Sequence, residues 1–86
     1  MNSFYQNVSL YWLKGKQTMI IARIHFKPEF AHRFIDSKDG SQSIIEQIFS
    51  SPEELIETIK EFEPYIVDCT TVINGRMLSL SCFKSA

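Results

Sequence analysis

The chain has 86 residues, 44% of them apolar and 22% charged, with 3 glycines, 3 prolines and a net charge of −1; this composition belongs to one small folded domain, residues 1–86, and excludes fibrous and disordered classes. Such a domain buries only about 60–65% of its unfolded surface, so its stability is modest or shared with a second subunit. The longest apolar run, Met19 to Ala22, is far below the roughly 20 residues of a membrane-crossing helix, and the amino terminus lacks a basic segment leading into an apolar stretch and a cleavage site, so a soluble, unsecreted chain without membrane association is expected.

Charge is unevenly spread. Up to residue 45 six bases face three acids, and from residue 46 three bases face seven acids. A solvated helix face accounts for this, as does a surface that steers a partner or favours head-to-tail association.

Residues 4–13, FYQNVSLYWL, alternate as a half-buried strand does; KGKQ interrupts, and TMIIARIHF resumes the alternation, which predicts an N-terminal hairpin. A loop of Gly15, Lys16 and Gln17 sets Trp12 opposite Ile20, Leu10 opposite Ala22 and Val8 opposite Ile24, giving one apolar face. Trp12 thereby ties residues 1–18 to the domain, although Met19 offers a second start. The other face carries Tyr5, Asn7, Ser9, Tyr11 and Leu13 beside Met19, Ile21, Arg23 and His25. Tyr5, Tyr11 and Arg23 resemble a platform for stacking unpaired bases. Without a Gly-rich aromatic motif or a basic excess, however, nucleic acid is an unfavoured partner, and cover of a sheet surface or a dimer contact is the simpler reading.

Pro28 opens a short helix in which Phe30/Phe34 and Ala31/Ile35 recur at a spacing of four, closed by Asp39-Gly40. Ser43–Phe49 is ambiguous. Ser43 and Glu46 have capping-box spacing and Ile44/Ile48 and Ile45/Phe49 recur at four, which favours a helix; the alternative is a strand in a middle hairpin, since the segment is short and β-branched. Pro52–Phe62 is a helix with Ser51 as cap, Pro52 in the first turn, Glu54 completing a capping box and Glu53 near the positive end of the macrodipole. Leu55, Ile56, Ile59 and Phe62 form its buried stripe, and Pro64 stops it.

Asn74-Gly75 signals a two-residue hairpin turn. It pairs Ile73 with Arg76, Thr71 with Leu78, Cys69 with Leu80 and Val67 with Cys82, and places Val67, Cys69, Ile73, Leu78, Leu80 and Cys82 on the core face. The two cysteines are then diagonal neighbours roughly 7–8 Å apart, too distant for a relaxed disulfide. They read as reduced, buried, small hydrophobes, which points to a reducing compartment, the cytoplasm.

No catalytic constellation emerges. His25 and His32 sit on different elements, the cysteines lack metal-binding spacing, and phosphate loops, nucleophile elbows and calcium loops are absent from the sequence, so neither metal nor cofactor is expected. The run SIIEQIFSSPEELIETIKEFEPYIVD, residues 43–68, resembles the closing part of dimeric α/β-barrel proteins of the antibiotic-biosynthesis-monooxygenase type. That resemblance covers less than a third of the chain; it implies a strand at Ile44–Phe49 and two chains burying their sheet faces together. SPEELIETIKEF with the Asn74-Gly75 hairpin is similar to phosphocarrier HPr domains, although the phosphoacceptor histidine motif and a following strand and helix are missing.

The expected fold is α+β, with two hairpins forming an antiparallel four-stranded sheet in the order β-β-α-α-β-β and helices on one face. The expected function is a non-enzymatic protein-interaction module of inhibitor or immunity type, with contact through Glu53, Glu57 and Glu61 or through Tyr11, Arg23 and His25. The competing readings are a small dimeric α/β-barrel enzyme or ligand-binding protein with His25 or His32 near an intersubunit pocket, and a single-stranded nucleic-acid binder.

Overall fold

The computed structural model describes residues 3–16, 19–35 and 42–83. The elements run α1 (Phe4–Lys14), β1 (Ile20–Phe26), α2 (Pro28–Ala31), β2 (Ile44–Phe49), α3 (Pro52–Phe62), a short 3-10 turn (Glu63–Tyr65), β3 (Ile66–Ile73), β4 (Arg76–Ser79) and α4 (Leu80–Phe83). The four strands form one antiparallel sheet in the order β2-β1-β3-β4, as the α+β expectation required, with helices on one face. The element order differs from the expected one at three places, the last of them the helix α4 that follows β4.

The first is the amino terminus, where residues 4–14 form a helix instead of a strand. FYQNVSLYWL satisfies both periods, because Phe4, Val8 and Trp12 also recur at four. The cap separates the two outcomes. The Ser3 hydroxyl accepts from the Gln6 N–H at 3.1 Å, and the Gln6 side chain accepts from the Ser3 N–H at 3.2 Å, a complete capping box. Asn7 is buried beside it and donates to the Ser3 carbonyl at 2.8 Å. With α1 helical, the expected pairing of Val8, Leu10 and Trp12 with β1 does not exist, and β1 pairs with β2 and β3 instead.

The second is Ile44–Phe49, a strand in place of the favoured helix. Its isoleucines lose side-chain freedom in a helix and suit a pleated surface, and the segment is too short to hold a helix by itself. Pairing with the long central strand β1, from Ile20↔Phe49 to His25↔Ile44, supplies what local propensity leaves open.

Other expectations hold or shift in detail. The Pro28 helix is one turn, continued by tight turns in which Arg33 and Phe34 donate to the carbonyls three residues back; its expected end at Asp39-Gly40 lies outside the described residues. In α3 the Ser51 hydroxyl caps the Glu54 N–H, but the Glu54 carboxylate turns back to the N–H and hydroxyl of Ser50, not to Ser51. Asn74 and Gly75 adopt φ of 52° and 75°, and Ile73↔Arg76 and Thr71↔Leu78 pair as expected. Beyond Ser79 the strand ends in α4, so the Cys69/Leu80 and Val67/Cys82 pairs do not form; the placement of the Cys82 side chain lies outside the described residues.

The core collects Phe4 and Val8 of α1, Leu55 and Ile59 of α3, Ala31 and Ile35, and the inward residues of the sheet, led by Ile20, Ala22, Ile24, Phe26, Cys69 and Ile73. At one end Phe26 stacks on Phe34 with centroids 4.7 Å apart, and Phe62 meets both rings. A bulge is set into β3: His25 pairs with Asp68 but Phe26 pairs with Ile66. Ile66 and Cys69 both point inward, and Val67, expected in the core, is exposed.

Because Phe4 is buried completely at the first turn of α1, Phe4→Ala is expected to lower the unfolding free energy by about 3–5 kcal/mol, measured by urea denaturation. A loss below about 1 kcal/mol would show α1 to be a loosely attached arm.

Candidate functional site

Among the described residues the helices cover only one side of the sheet. On the other side, the strand registers line the outward residues up in rows across the strands. The first row is Ile48, Ile21, Val72 and Met77, on β2, β1, β3 and β4 in turn. All four are apolar, and they are 63%, 37%, 40% and 70% exposed. The second row, Glu46, Arg23, Thr70 and Ser79, is polar throughout. The third contains Ile44, His25 and Asp68. A shallow trough of about 350 Å³ runs along this surface, and nearly all of these residues line it.

The charged groups here are already engaged. Arg23 Nε lies 3.8 Å from Glu46 Oε2 across the β1–β2 pair, with both side chains exposed. Asp68 accepts from the Ser79 hydroxyl at 2.8 and 2.9 Å and from the Ser81 N–H at 2.8 Å, fastening the start of α4 to β3. Partial burial pushes its carboxyl up, but the bonds from Ser81, Ser79 and the Cys69 N–H together outweigh this and hold it below the usual carboxylate range.

The six residues expected to make contact fall in three places. Arg23 and His25 are on the open sheet face. Glu53, Glu57 and Glu61 are exposed on α3, whose Leu55 and Ile59 are buried against the sheet, so the acidic stripe exists on the outer side of the helix layer. Tyr11 belongs to neither: it packs against the core, with the Arg76 guanidinium 5.2 Å and the Lys14 ammonium 5.3 Å from its ring centre. Tyr5 is likewise on α1, under Lys60, with its hydroxyl buried and without a hydrogen-bond partner. The expected base-stacking platform of Tyr5, Tyr11 and Arg23 is therefore not assembled, because its tyrosines are on a helix behind the sheet. His32 is exposed at the end of α2, apart from His25.

Cys69 is buried completely, and burial, with Asp68 adding to it, pushes its thiol up to about 12. The sulfur is a core filler with negligible thiolate near neutrality. Among the described residues no group of three or more His, Cys, Asp or Glu side chains is placed to hold a metal ion, and no helix is long and apolar enough to cross a membrane.

The apolar row was missed at sequence level. Its members lie far apart in the chain, and only the strand order and registers bring them together. Comparisons with protein-family models, with curated proteins and with solved structures find no match.

Asp68 ionises more readily in the folded chain than in the unfolded one, so its contribution to stability is present above the ordinary carboxylate pKa and is lost as pH falls through the lowered value. Asp68→Asn is expected to be less stable than the parent at pH 7, with the gap narrowing below about pH 4; urea midpoints across pH 2.5–7 measure it, and a pH-independent gap would remove the charge from the explanation. Cys69 is expected to resist alkylation by iodoacetamide at pH 8 until urea unfolds the chain, read by peptide mass spectrometry.

Proposed function

We propose that the chain is a small, non-enzymatic protein-interaction module that holds or sequesters a protein partner, as an inhibitor or immunity-type protein does, through the open face of its sheet. The observation that carries this reading is the row Ile48–Ile21–Val72–Met77, four adjacent exposed apolar side chains spanning every strand. Single exposed apolar residues are ordinary on protein surfaces, whereas a contiguous band beside a polar row has the pattern of a contact surface. The engagement of Arg23 with Glu46 and of Asp68 with Ser79 and Ser81 supports the same reading, since these groups organise the surface rather than standing poised for proton transfer.

The enzyme or ligand-binding reading retains one support. The trough lined by Arg23, His25, Asp68 and Thr70 has a volume within the range of small-molecule sites. It lies along an open sheet, whereas ligand sites usually enclose most of what they bind.

Cross-linking capture from the source cell compares the parent, the sheet variant Ile21→Lys/Met77→Lys and the helix variant Glu53→Lys/Glu57→Lys/Glu61→Lys. A protein captured by the parent is expected to be retained by the helix variant and reduced at least tenfold in the sheet variant. The reverse pattern would move the contact to the acidic stripe and overturn the assignment.

A further inference from the structure

We infer that the occupant of the open sheet face is a second copy of this chain, packed face to face about a two-fold axis that runs parallel to the strands between β1 and β3. This rests on the reading of that face as a protein-contact surface and names what covers it in the free protein, until a captured partner displaces it. The rows fix this orientation. The axis exchanges β2 with β4 and β1 with β3 across the interface while leaving each row opposite itself. Ile48 then faces Met77 of the other copy, and Ile21 faces Val72, so apolar meets apolar along the whole first row. In the second row Glu46 faces Ser79 and Arg23 faces Thr70, which places an acceptor hydroxyl oxygen opposite the guanidinium. In the third row the His25 imidazole of each copy faces the Asp68 carboxylate of the other, a donor against an acceptor.

Charge is consistent with this arrangement. The Arg23–Glu46 pair is neutralised within each chain, so two identical faces approach without net repulsion from the polar row. A strongly charged partner such as nucleic acid finds no matching excess here. Size is consistent as well. Four strands about 4.8 Å apart and averaging roughly 20 Å long give about 400 Å² in flat projection per copy, or about 800 Å² for two before side-chain relief, the size of a weak, reversible contact formed in the micromolar range.

The test is the mass in solution, by sedimentation velocity and light scattering from 1 to 100 μM. A shift from the 10.0 kDa chain toward twice that mass is expected. Ile48→Lys and Met77→Glu, both at exposed positions, are each expected to raise the dimer dissociation constant at least tenfold with unchanged circular dichroism, and with an unchanged urea midpoint at concentrations where the parent is monomeric. The double variant Ile48→Lys/Met77→Glu is expected to dimerise more tightly than either single variant in low salt and to lose that advantage at 0.5 M NaCl. Within one chain these residues are on opposite edge strands, so the lysine and the glutamate meet only between copies. A parent that stays monomeric at 100 μM, a dimer indifferent to either single variant, or a double variant no tighter than the single variants at any salt concentration would each overturn the inference. A monomeric parent whose captured protein is still lost in the sheet variant would remove the second copy and leave the contact surface standing.

Discussion

The central position of β1 is the constraint from which the rest of the structure follows. Ile20–Phe26 is paired on both sides along nearly its whole length, and its Ile20, Ala22, Ile24 and Phe26 all point into the core without residual exposure. Helices α1 and α3 supply the opposing apolar stripe through Phe4, Val8, Leu55 and Ile59. Among the described residues the helices supply one layer only, and that layer leaves the second face of the sheet uncovered. Open-face chemistry is thus set by a core decision: each inward residue of β1 fixes its neighbours Ile21, Arg23 and His25 outward.

The carboxyl-terminal half meets the same constraint with different devices. The Asn74-Gly75 turn fixes the β3–β4 register, and the bulge at the start of β3 lets Ile66 and Cys69 both reach the core. It also sets Asp68 outward, where it gathers Ser79 and the Ser81 N–H at the point where β4 gives way to α4. Asp68 therefore belongs to the architecture of the face as much as to its chemistry. Its two roles are compatible because Ser79 and Ser81 engage its oxygens from the β4–α4 side, while His25 stands opposite on β1.

Local signals made α3, the final turn and the inward pattern of β1 legible, because each rests on nearby residues: Ser51 and Pro52, Asn74-Gly75, and the alternation from Ile20 to Phe26. Two elements were misread where two periods fit one segment. In FYQNVSLYWL the alternation outweighed the Phe4/Val8/Trp12 spacing, although Ser3 and Gln6 stood at capping-box distance and marked the helix. In SIIEQIF the same capping-box spacing pointed the wrong way: Ser43 and Glu46 fit a cap, but the β-branched residues between and after them suited a strand that β1 was available to pair. A cap signal therefore carries weight only where the residues after it suit a helix and leave an apolar face for the core, as in α1 and α3 and not in β2.

The open face was illegible for a different reason. Ile48, Ile21, Val72 and Met77 are each a single outward apolar residue on an ordinary strand, and no window of the sequence contains them together. The arrangement also has an energetic consequence. The apolar row can be desolvated outright at a gain that grows with the area covered. The exposed Arg23–Glu46 pair contributes at most about 1 kcal/mol where it stands and loses hydration if it is dried. A cover that buries the first row must therefore leave the second wet or meet it with polar groups of its own. Hydrophobic area decides how strongly this face is covered, and the polar row decides by what.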